Sequence, residues 1–217
     1  MSIQVAIDGP SASGKGTVAK KVAHDCNLIY IDTGAMYRAI AYATIKNNLS
    51  LNDEDAIVKL AESSKIEFIS DKIYLNGQDV SKEIRTMEVS KIVSPISSIV
   101  KLRDILVNMQ QNLALGNNVI MDGRDITTVV LPFAKYKFYL DADINERAKR
   151  RFKELQERGD KVTFEETLEN IKNRDYNDIH KKVGALTRTN DSIYIDSTNL
   201  SVDEVVSIIE SKIEVDL

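Results

Sequence analysis

Cysteine is almost absent from the sequence, which has one, Cys26, among 217 residues. A single cysteine excludes an intrachain disulfide and favours a reducing compartment. Histidine is also scarce, and neither His24 nor His180 stands at a spacing typical of metal or nucleophilic sites. These absences exclude a disulfide-stabilised fold and give no sign of a metal centre built from cysteine and histidine.

Long apolar runs are also missing, since none approaches the roughly 18 residues that span a membrane. The first ten residues, MSIQVAIDGP, lack the charged and apolar regions of a signal peptide, so we expect a cytoplasmic protein. The net charge of -4 gives no general attraction to nucleic acid or to an anionic membrane, and we expect neither as a partner. No repeat or low-complexity linker is present, and the length fits one core with small additions.

Five short apolar runs have the composition of buried strands, and four of them precede a stretch with helical periodicity. This alternation predicts an α/β fold with a parallel sheet covered on both faces. Two helix starts are marked by a hydroxyl residue followed three positions later by a carboxylate, at Thr163 and Ser201. The predicted strands are residues 3–7, 28–32, 118–122, 136–140 and 192–196.

Two stretches interrupt the alternation. In the interval 65–92, residues 65–84 carry a period-two pattern and an Asn-Gly pair, which predict a small antiparallel hairpin outside the parallel sheet. We interpret the whole interval, 65–92, as an antiparallel insertion. Residues 156–163, QERGDKVT, separate two charged helices, and we interpret them as a short mobile flap.

Residues 9–17, GPSASGKGT, resemble a phosphate-binding loop of the form G-x-x-x-x-G-K-[ST]. The stretch directly follows one predicted strand and directly precedes a helix, which is the setting that the motif requires. Backbone amides and the helix N-terminus would face the phosphates, and Lys15 would place its charge at the β and γ positions. The alternative is a tight turn without a ligand. The predicted ATP-binding residues of the loop are Gly9, Pro10, Ser11, Ala12, Ser13, Gly14, Lys15, Gly16 and Thr17.

The loop departs from the pattern where a hydroxyl residue should follow the lysine. Gly16 stands there, and the hydroxyl comes one residue later, on Thr17. Mg²⁺ keeps several waters and takes much of its coordination from substrate phosphates, so Asp122 at a neighbouring strand end could orient those waters. The alternative for Asp122 is a strand-end cap. From the sequence alone, Gly16→Ser is expected to be tolerated.

Five motifs together resemble the bacterial cytidylate kinases, and the resemblance covers essentially the whole chain. They are GKGT at 14–17, DTGAMYRA at 32–39, DGRD at 122–125, NERAKRR at 145–151 and RDYNDIHK at 174–181. The resemblance implies a P-loop nucleoside monophosphate kinase fold whose five parallel strands lie in the order 2-3-1-4-5. It also implies one kinase unit, with a core at 1–32, 103–151 and 164–217, a monophosphate-binding region with the insertion at 33–102, and a lid at 152–163.

The same resemblance implies phosphoryl transfer from ATP to CMP and dCMP with Mg²⁺, by a monomer. It assigns catalytic roles to Lys15, Arg124 and Arg151, and it assigns the adenine contact to Arg147. The residues that it assigns to CMP are Thr33, Arg38, Ser94, Arg103, Arg124, Asp125, Arg174, Asp178 and Lys181.

These residue types suit the chemistry, although several have a simpler interpretation. Cytosine presents an amino donor and two acceptors, which call for one carboxylate beside donors such as arginine. Without the resemblance, Arg103 would be a solvated helix charge, and Arg174 with Asp178 would be a salt bridge on a helix surface. Arg147 and Arg151 could likewise form a solvated basic face.

Three positions depart from the family pattern. Lys181 stands in place of arginine, Ala185 in place of proline, and Thr127 in place of glycine. Lysine keeps the charge but loses the bidentate fork of arginine, so we expect a weaker or differently angled phosphate contact at Lys181. Rival functions are a kinase for UMP, AMP or shikimate, and a nucleotide switch without turnover. The sequence lacks the Asn-Lys-x-Asp motif of a GTPase.

Overall fold

A computed structural model describes residues 2–69 and 72–213. These residues form eight strands and eight helices, with a 3-10 turn at Glu83–Arg85 and a π-helical turn at Ile126–Val130. The strands are β1 Gln4–Asp8, β2 Ile29–Asp32, β3 Ile66–Ile69, β4 Lys72–Leu75, β5 Gln78–Asp79, β6 Val119–Gly123, β7 Tyr136–Asp141 and β8 Ile193–Asp196. The helices are α1 Lys15–Asp25, α2 Thr33–Lys46, α3 Glu54–Glu62, α4 Met87–Ile96, α5 Val100–Ala114, α6 Ile144–Glu157, α7 Phe164–His180 and α8 Val202–Ile213.

The main sheet has five parallel strands in the order β2-β6-β1-β7-β8. Counted along the chain as five strands, this order is 2-3-1-4-5, so the predicted topology is confirmed. Strand β1 lies at the centre, with Ile7 opposite Asp122 on β6 and opposite Phe138 on β7. Because all the strands are parallel, their carboxyl ends share one edge, where the loops of α/β proteins bind ligands.

The chain divides into two compact units, Met1–Tyr30 with Gly116–Leu217, and Ile31–Leu115. In the first unit, the side chains of Val5, Ile7 and Phe138 are fully buried in the sheet. Helices α1 and α8 contribute Val22 and Ile209 to the same core. Burial on both faces explains why these strands are continuous apolar runs rather than alternating ones.

The second unit contains helices α2, α3, α4 and α5 and a three-stranded antiparallel sheet in the order β3-β4-β5. Asn76 and Gly77 join β4 to β5 with φ values of 51° and 79°. Two residues with positive φ form the turn that antiparallel strands favour, so the predicted Asn-Gly hairpin is confirmed.

The predicted extent of that hairpin, to residue 92, was wrong. The last strand ends at Asp79, and helix α4 begins at Met87. Thr86 caps α4, since its side chain accepts a hydrogen bond from the Val89 amide at 3.4 Å. This cap and the long-range packing of α4 start a helix inside the interval that was predicted to be antiparallel.

The helix starts predicted at Thr163 and Ser201 are confirmed. The Thr163 amide donates to the Glu166 carboxylate at 2.8 Å, and the Glu166 amide donates to the Thr163 hydroxyl at 3.1 Å. Ser201 and Glu204 make the same reciprocal pair at 2.8 and 3.3 Å. The chain between α6 and α7 is irregular, as predicted, although residues 152–157 still belong to α6.

No helix within residues 2–69 and 72–213 is both long and apolar enough to cross a membrane.

Candidate active site

The glycine-rich loop follows β1 and leads directly into α1, as the sequence predicts. Gly9 cannot be replaced easily, because a Cβ there would lie 2.0 Å from the backbone oxygen of Leu140. Gly14 precedes α1 with a φ of 92° and provides no side-chain cap. The first turn of α1 therefore has no side-chain acceptor from its N-cap residue, which suits a site that receives phosphate.

Lys15 lies folded onto its own loop. Its side-chain nitrogen donates to the Pro10 carbonyl at 2.7 Å and to the Ser13 hydroxyl at 3.2 Å, and the residue is 5% exposed. Burial, followed by the positive charge of Arg124, lowers the pKa of Lys15 to about 7, although Asp122 and Asp8 oppose the shift. A phosphate beside Lys15 would favour the ammonium form.

Asp8, which the sequence analysis missed, joins this loop to the segment after β6. Its carboxylate accepts hydrogen bonds from the Ile126 amide at 2.9 Å, the Thr127 amide at 2.8 Å and the Thr127 hydroxyl at 2.6 Å. Burial raises the pKa of Asp8, and these hydrogen bonds act against that rise. The only available signal was a carboxylate placed directly before the loop.

Asp122 and Arg124 stand at the end of β6, next to the strand that carries the glycine-rich loop. The Tyr30 hydroxyl donates to the Asp122 carboxylate at 2.8 Å. The Arg124 Nε donates to Asp178 at 2.6 Å, and its Nη1 donates to the Gly123 carbonyl at 3.3 Å. Asp122 and Arg124 thus lie at the strand end next to the glycine-rich loop.

Three of the residues predicted to bind CMP form a cluster, because Asp178 contacts both Arg124 and Lys181. The Lys181 nitrogen lies 3.3 Å from the second carboxylate oxygen of Asp178. Burial raises the pKa of Asp178, but Arg124, Lys181 and Arg174 outweigh it, so the net pKa lies below the usual range. Asp178 is 5% exposed, which excludes its interpretation as one half of a helix-surface salt bridge.

Arg147 and Asp175 form a buried ion pair beside the loop. The Ser11 amide donates to Asp175 at 3.0 Å, while Arg147 donates to the Ser11 carbonyl at 3.0 Å and to the Ala142 carbonyl at 2.9 Å. Arg147 therefore does not belong to a solvated basic face. Arg151 lies farther along α6 and pairs with Glu154 at 2.7 Å.

In the second unit, Asp32 and Arg38 form a pair at the start of α2. Asp32 accepts from the Ala35 amide at 2.8 Å and from Arg38 at 2.7 Å. Burial raises the pKa of Asp32, but Arg38 and the Ala35 amide reverse the shift, and the net pKa is lowered. Among the residues that the structure describes, the Arg38 Nε is buried without a hydrogen-bond partner, so this guanidinium has a donor to offer.

The other predicted residues of the second unit lie on three helices. Thr33 is buried as the first residue of α2, and Ser94 is half-buried on α4. Arg103 is 4% exposed on α5, with its guanidinium 5.7 Å from the Tyr37 ring centre and 3.4 Å from the Ser97 carbonyl oxygen. Burial excludes the interpretation of Arg103 as a solvated helix charge.

The residues present suit a metal that arrives with its nucleotide. Within residues 2–69 and 72–213 there is no group of three or more histidine, cysteine or acidic side chains placed to hold an ion. The Asp122 carboxylate lies on β6, next to the strand that leads into the loop, and the Tyr30 hydroxyl donates to it. This donor set fits hydrated Mg²⁺, which takes one or two carboxylates plus phosphate oxygens and water.

Comparison with known proteins agrees with the resemblance. The family model described as cytidylate kinase matches residues 5–215. The cytidylate kinase of Caldanaerobacter subterraneus subsp. tengcongensis is 49% identical over 95% of this chain and 92% of its own length. Those of Clostridium tetani and Alkaliphilus oremlandii are 47% and 46% identical, covering 99% and 94% of this chain and 95% and 94% of their own.

Solved structures resemble the chain in fold alone. An uncharacterised protein from Eubacterium ventriosum has a TM-score of 0.54 at 15% identity over 98% of each chain. TT1252 from Thermus thermophilus has a TM-score of 0.51 at 15% identity over 100% of this chain and 99% of its own. The match to the family model and the relatives above 40% identity cover nearly all of the chain. This chain therefore belongs to the cytidylate kinase family.

Proposed function

We propose that this protein transfers the γ-phosphoryl group of ATP to CMP and dCMP, giving ADP and the corresponding diphosphate. One observation supports it most. Strands β1 and β6 pair in parallel, with Asp8 opposite Gly123, so the loop that starts at Gly9 and the run Asp122–Asp125 begin at adjacent strand ends. A phosphate-donor loop and a charged run suited to a phosphate acceptor thus lie side by side.

On the donor side, the amides of the loop and of the first turn of α1 bind the phosphates, and Lys15 supplies a charge to the β and γ positions. The Lys15 nitrogen donates to Pro10 and Ser13 in the free protein. When ATP binds, phosphate oxygens replace these two acceptors. Arg151 approaches the transferring group, and Arg147 contacts the adenine. Arg147 already holds Ser11, so its role includes fixing the loop.

On the acceptor side, the attacking oxygen of the CMP phosphate is anionic at neutral pH, so the protein needs no strong general base. It needs positive charge and alignment instead. Arg124 and Arg38 provide forked donors for that phosphate, and Lys181 adds a point charge. Asp178 holds Arg124 and Lys181 in place and also serves the sugar, together with Arg174.

The base is recognised by Asp125, with Arg103 and Ser94. A carboxylate accepts from the 4-amino group of cytosine, and guanidinium and hydroxyl donors match its ring nitrogen and carbonyl. Thr33 is the remaining residue that we assign to CMP binding. The burial of Asp125 and Arg103 supports this assignment, because polar contacts discriminate best when water is excluded.

Asp122 would hold Mg²⁺ through water, and Tyr30 would fix the carboxylate of Asp122. When bound together with ATP, the ion would neutralise negative charge on the phosphates during transfer. We further propose a cytoplasmic monomer that binds neither nucleic acid nor membrane. The single cysteine supports the compartment, and the net charge of -4 supports the lack of those two partners; the monomer is what the family resemblance implies.

An acceptor screen tests the function. ADP release from ATP is followed with CMP, dCMP, UMP, AMP or shikimate, and without an acceptor. CMP and dCMP should give the fastest release, and Lys15→Ala should lower kcat by on the order of 100-fold with an unchanged melting profile. ADP release that no acceptor accelerates would support a nucleotide switch and contradict the proposal.

A further inference from the structure

Tyr30 stands where the glycine-rich loop lacks its hydroxyl. A Cβ added to Gly16 would lie 3.2 Å from the Tyr30 hydroxyl oxygen, which is tighter than an ordinary contact. The same oxygen donates to Asp122 at 2.8 Å. One phenol oxygen therefore adjoins both positions that a phosphate-binding loop normally uses for magnesium, the residue after the lysine and the carboxylate at the neighbouring strand end.

The side chain of Tyr30 is held by its surroundings as well as by Asp122. It is half-buried and packs against the core of the first unit, and the Lys20 nitrogen lies 5.8 Å from its ring centre. Its place on strand β2 brings the hydroxyl to the loop from a different element. This long-range arrangement explains why the loop sequence, examined alone, lacks a hydroxyl directly after Lys15.

We propose that Tyr30 is a positioning residue whose hydroxyl replaces the one missing at position 16. This inference rests on the proposed function, since it concerns the metal that accompanies ATP. The phenol fixes the Asp122 carboxylate, and Asp122 orients the water shell of the ion. A Cβ at position 16 would press on the phenol oxygen, so glycine at this position leaves the hydrogen bond between Tyr30 and Asp122 undisturbed.

The contact changes what is expected of Gly16→Ser. The loop pattern alone predicts tolerance, but the serine Cβ would press against the Tyr30 hydroxyl and displace it from Asp122. We now expect the substitution to weaken metal-assisted ATP binding. Removing the phenol oxygen with Tyr30→Phe frees the space, so that a serine at position 16 can provide the hydroxyl instead.

The experiment measures ATP binding by calorimetry with Mg²⁺ and with a chelator, and takes the ratio of the two Kd values as the metal effect. Tyr30→Phe should leave the Kd without metal unchanged and reduce the metal effect about tenfold, as is typical for partners of ligating groups. Gly16→Ser and Gly16→Ala should each reduce the metal effect when Tyr30 is unchanged. The double variant Gly16→Ser with Tyr30→Phe should recover most of the loss.

Two controls separate this role from general effects. Gly16→Ala with Tyr30→Phe adds the Cβ without a hydroxyl and should not recover the metal effect. Tyr194→Phe removes another tyrosine hydroxyl, 3.5 Å from Asp141, and should leave the metal effect unchanged. Melting curves identify any variant that fails to fold. If Tyr30→Phe fails, Gly16→Ser and Gly16→Ala in the protein that keeps Tyr30 still test whether a Cβ at position 16 disturbs the Tyr30 hydroxyl.

An unchanged metal effect in Tyr30→Phe, or a double serine variant no better than the double alanine one, would overturn the inference. The inference would also be overturned if the native protein had the same Kd for ATP with Mg²⁺ as with a chelator. Failure of the proposed function gives a different result, because the native protein would then bind ATP with a metal effect but transfer nothing to CMP.

Discussion

Asp8 and Thr127 show how one buried carboxylate fixes two loops. The three donors to Asp8 come from residues 126 and 127, while Asp8 itself directly precedes the glycine-rich loop. Glycine, which the family pattern places at position 127, would provide only its amide. The hydroxyl of Thr127 is thus an additional donor to a fully buried carboxylate, where each hydrogen bond counts more than at the surface.

Thr127→Val keeps the shape of the side chain but removes that donor. We expect the free energy of unfolding to fall by about 1–3 kcal/mol, because Asp8 stays buried and loses a partner. Thr127→Ser should stay close to the native protein. Denaturant unfolding measures both. Thr167→Val is the matched control, since the buried Thr167 hydroxyl donates to the Thr163 carbonyl at 2.8 Å rather than to a buried carboxylate, and its loss should be smaller. Equal losses in Thr127→Val and Thr127→Ser would contradict this role.

Lys15 makes ATP binding sensitive to pH. With a pKa near 7, its side chain is mostly neutral at pH 8 in the free protein, and bound phosphates favour the ammonium form. Binding at pH 8 should therefore take up close to one proton, and the affinity for ATP should fall as the pH rises above 7. Calorimetry in buffers of different ionisation enthalpy measures the uptake. Lys15→Met should abolish it, and a native protein that takes up no proton at pH 8 would refute the prediction.

Helices α6 and α7 hold the glycine-rich loop from one side. Arg147 on α6 and Asp175 on α7 bind each other and bind the carbonyl and the amide of Ser11. Both side chains are buried, so each charge depends on the other for its compensation. The loop is thus fixed by two elements that follow it far along the chain.

Asp175→Asn tests this arrangement, because it removes the charge and keeps an oxygen acceptor for Ser11. We expect a loss of about 3 kcal/mol in the free energy of unfolding, since Arg147 would remain buried without its counter-charge. We also expect a larger rise in KM for ATP than for CMP. The matched control is Arg158→Met, which breaks a partly exposed pair with Glu154 on α6 and should cost about 1 kcal/mol or less. Similar losses in the two variants would show that the buried pair has no special role.

The elements follow from the sequence where the signals are local. The five parallel strands, their order and the caps at Thr163 and Ser201 could be predicted from apolar runs, capping pairs and family resemblance. Helix α4 could not, because it follows directly on the period-two stretch, within the interval interpreted as antiparallel, and its packing partners lie elsewhere in the chain. The residues missed at the site, Asp8, Tyr30 and Asp175, share one cause. Each acts through a partner far away in sequence, which no local motif records.

The molecule as a whole supplies positive charge and alignment rather than a reactive side chain. The acceptor phosphate brings its own nucleophilic oxygen, so the work of the protein is to hold two anions in line and keep water away. The net charge is negative, so the cations that we propose for the two anions, Lys15, Arg124, Lys181 and Arg38, would act locally. Selection of the acceptor then depends on the base.

The ratio of kcat/KM for CMP to that for UMP tests the assignment of this function most directly. In the proposed assignment, the Asp125 carboxylate would accept from the amino group of cytosine but would oppose the carbonyl oxygen of uracil, a mismatch of about 1–3 kcal/mol. The native protein should prefer CMP at least about tenfold, Asp125→Asn should lose CMP activity and narrow the ratio, and Arg103→Ala should weaken both acceptors alike. A ratio that stays the same in Asp125→Asn would place base recognition elsewhere and contradict the assignment of Asp125 as the residue that selects cytosine.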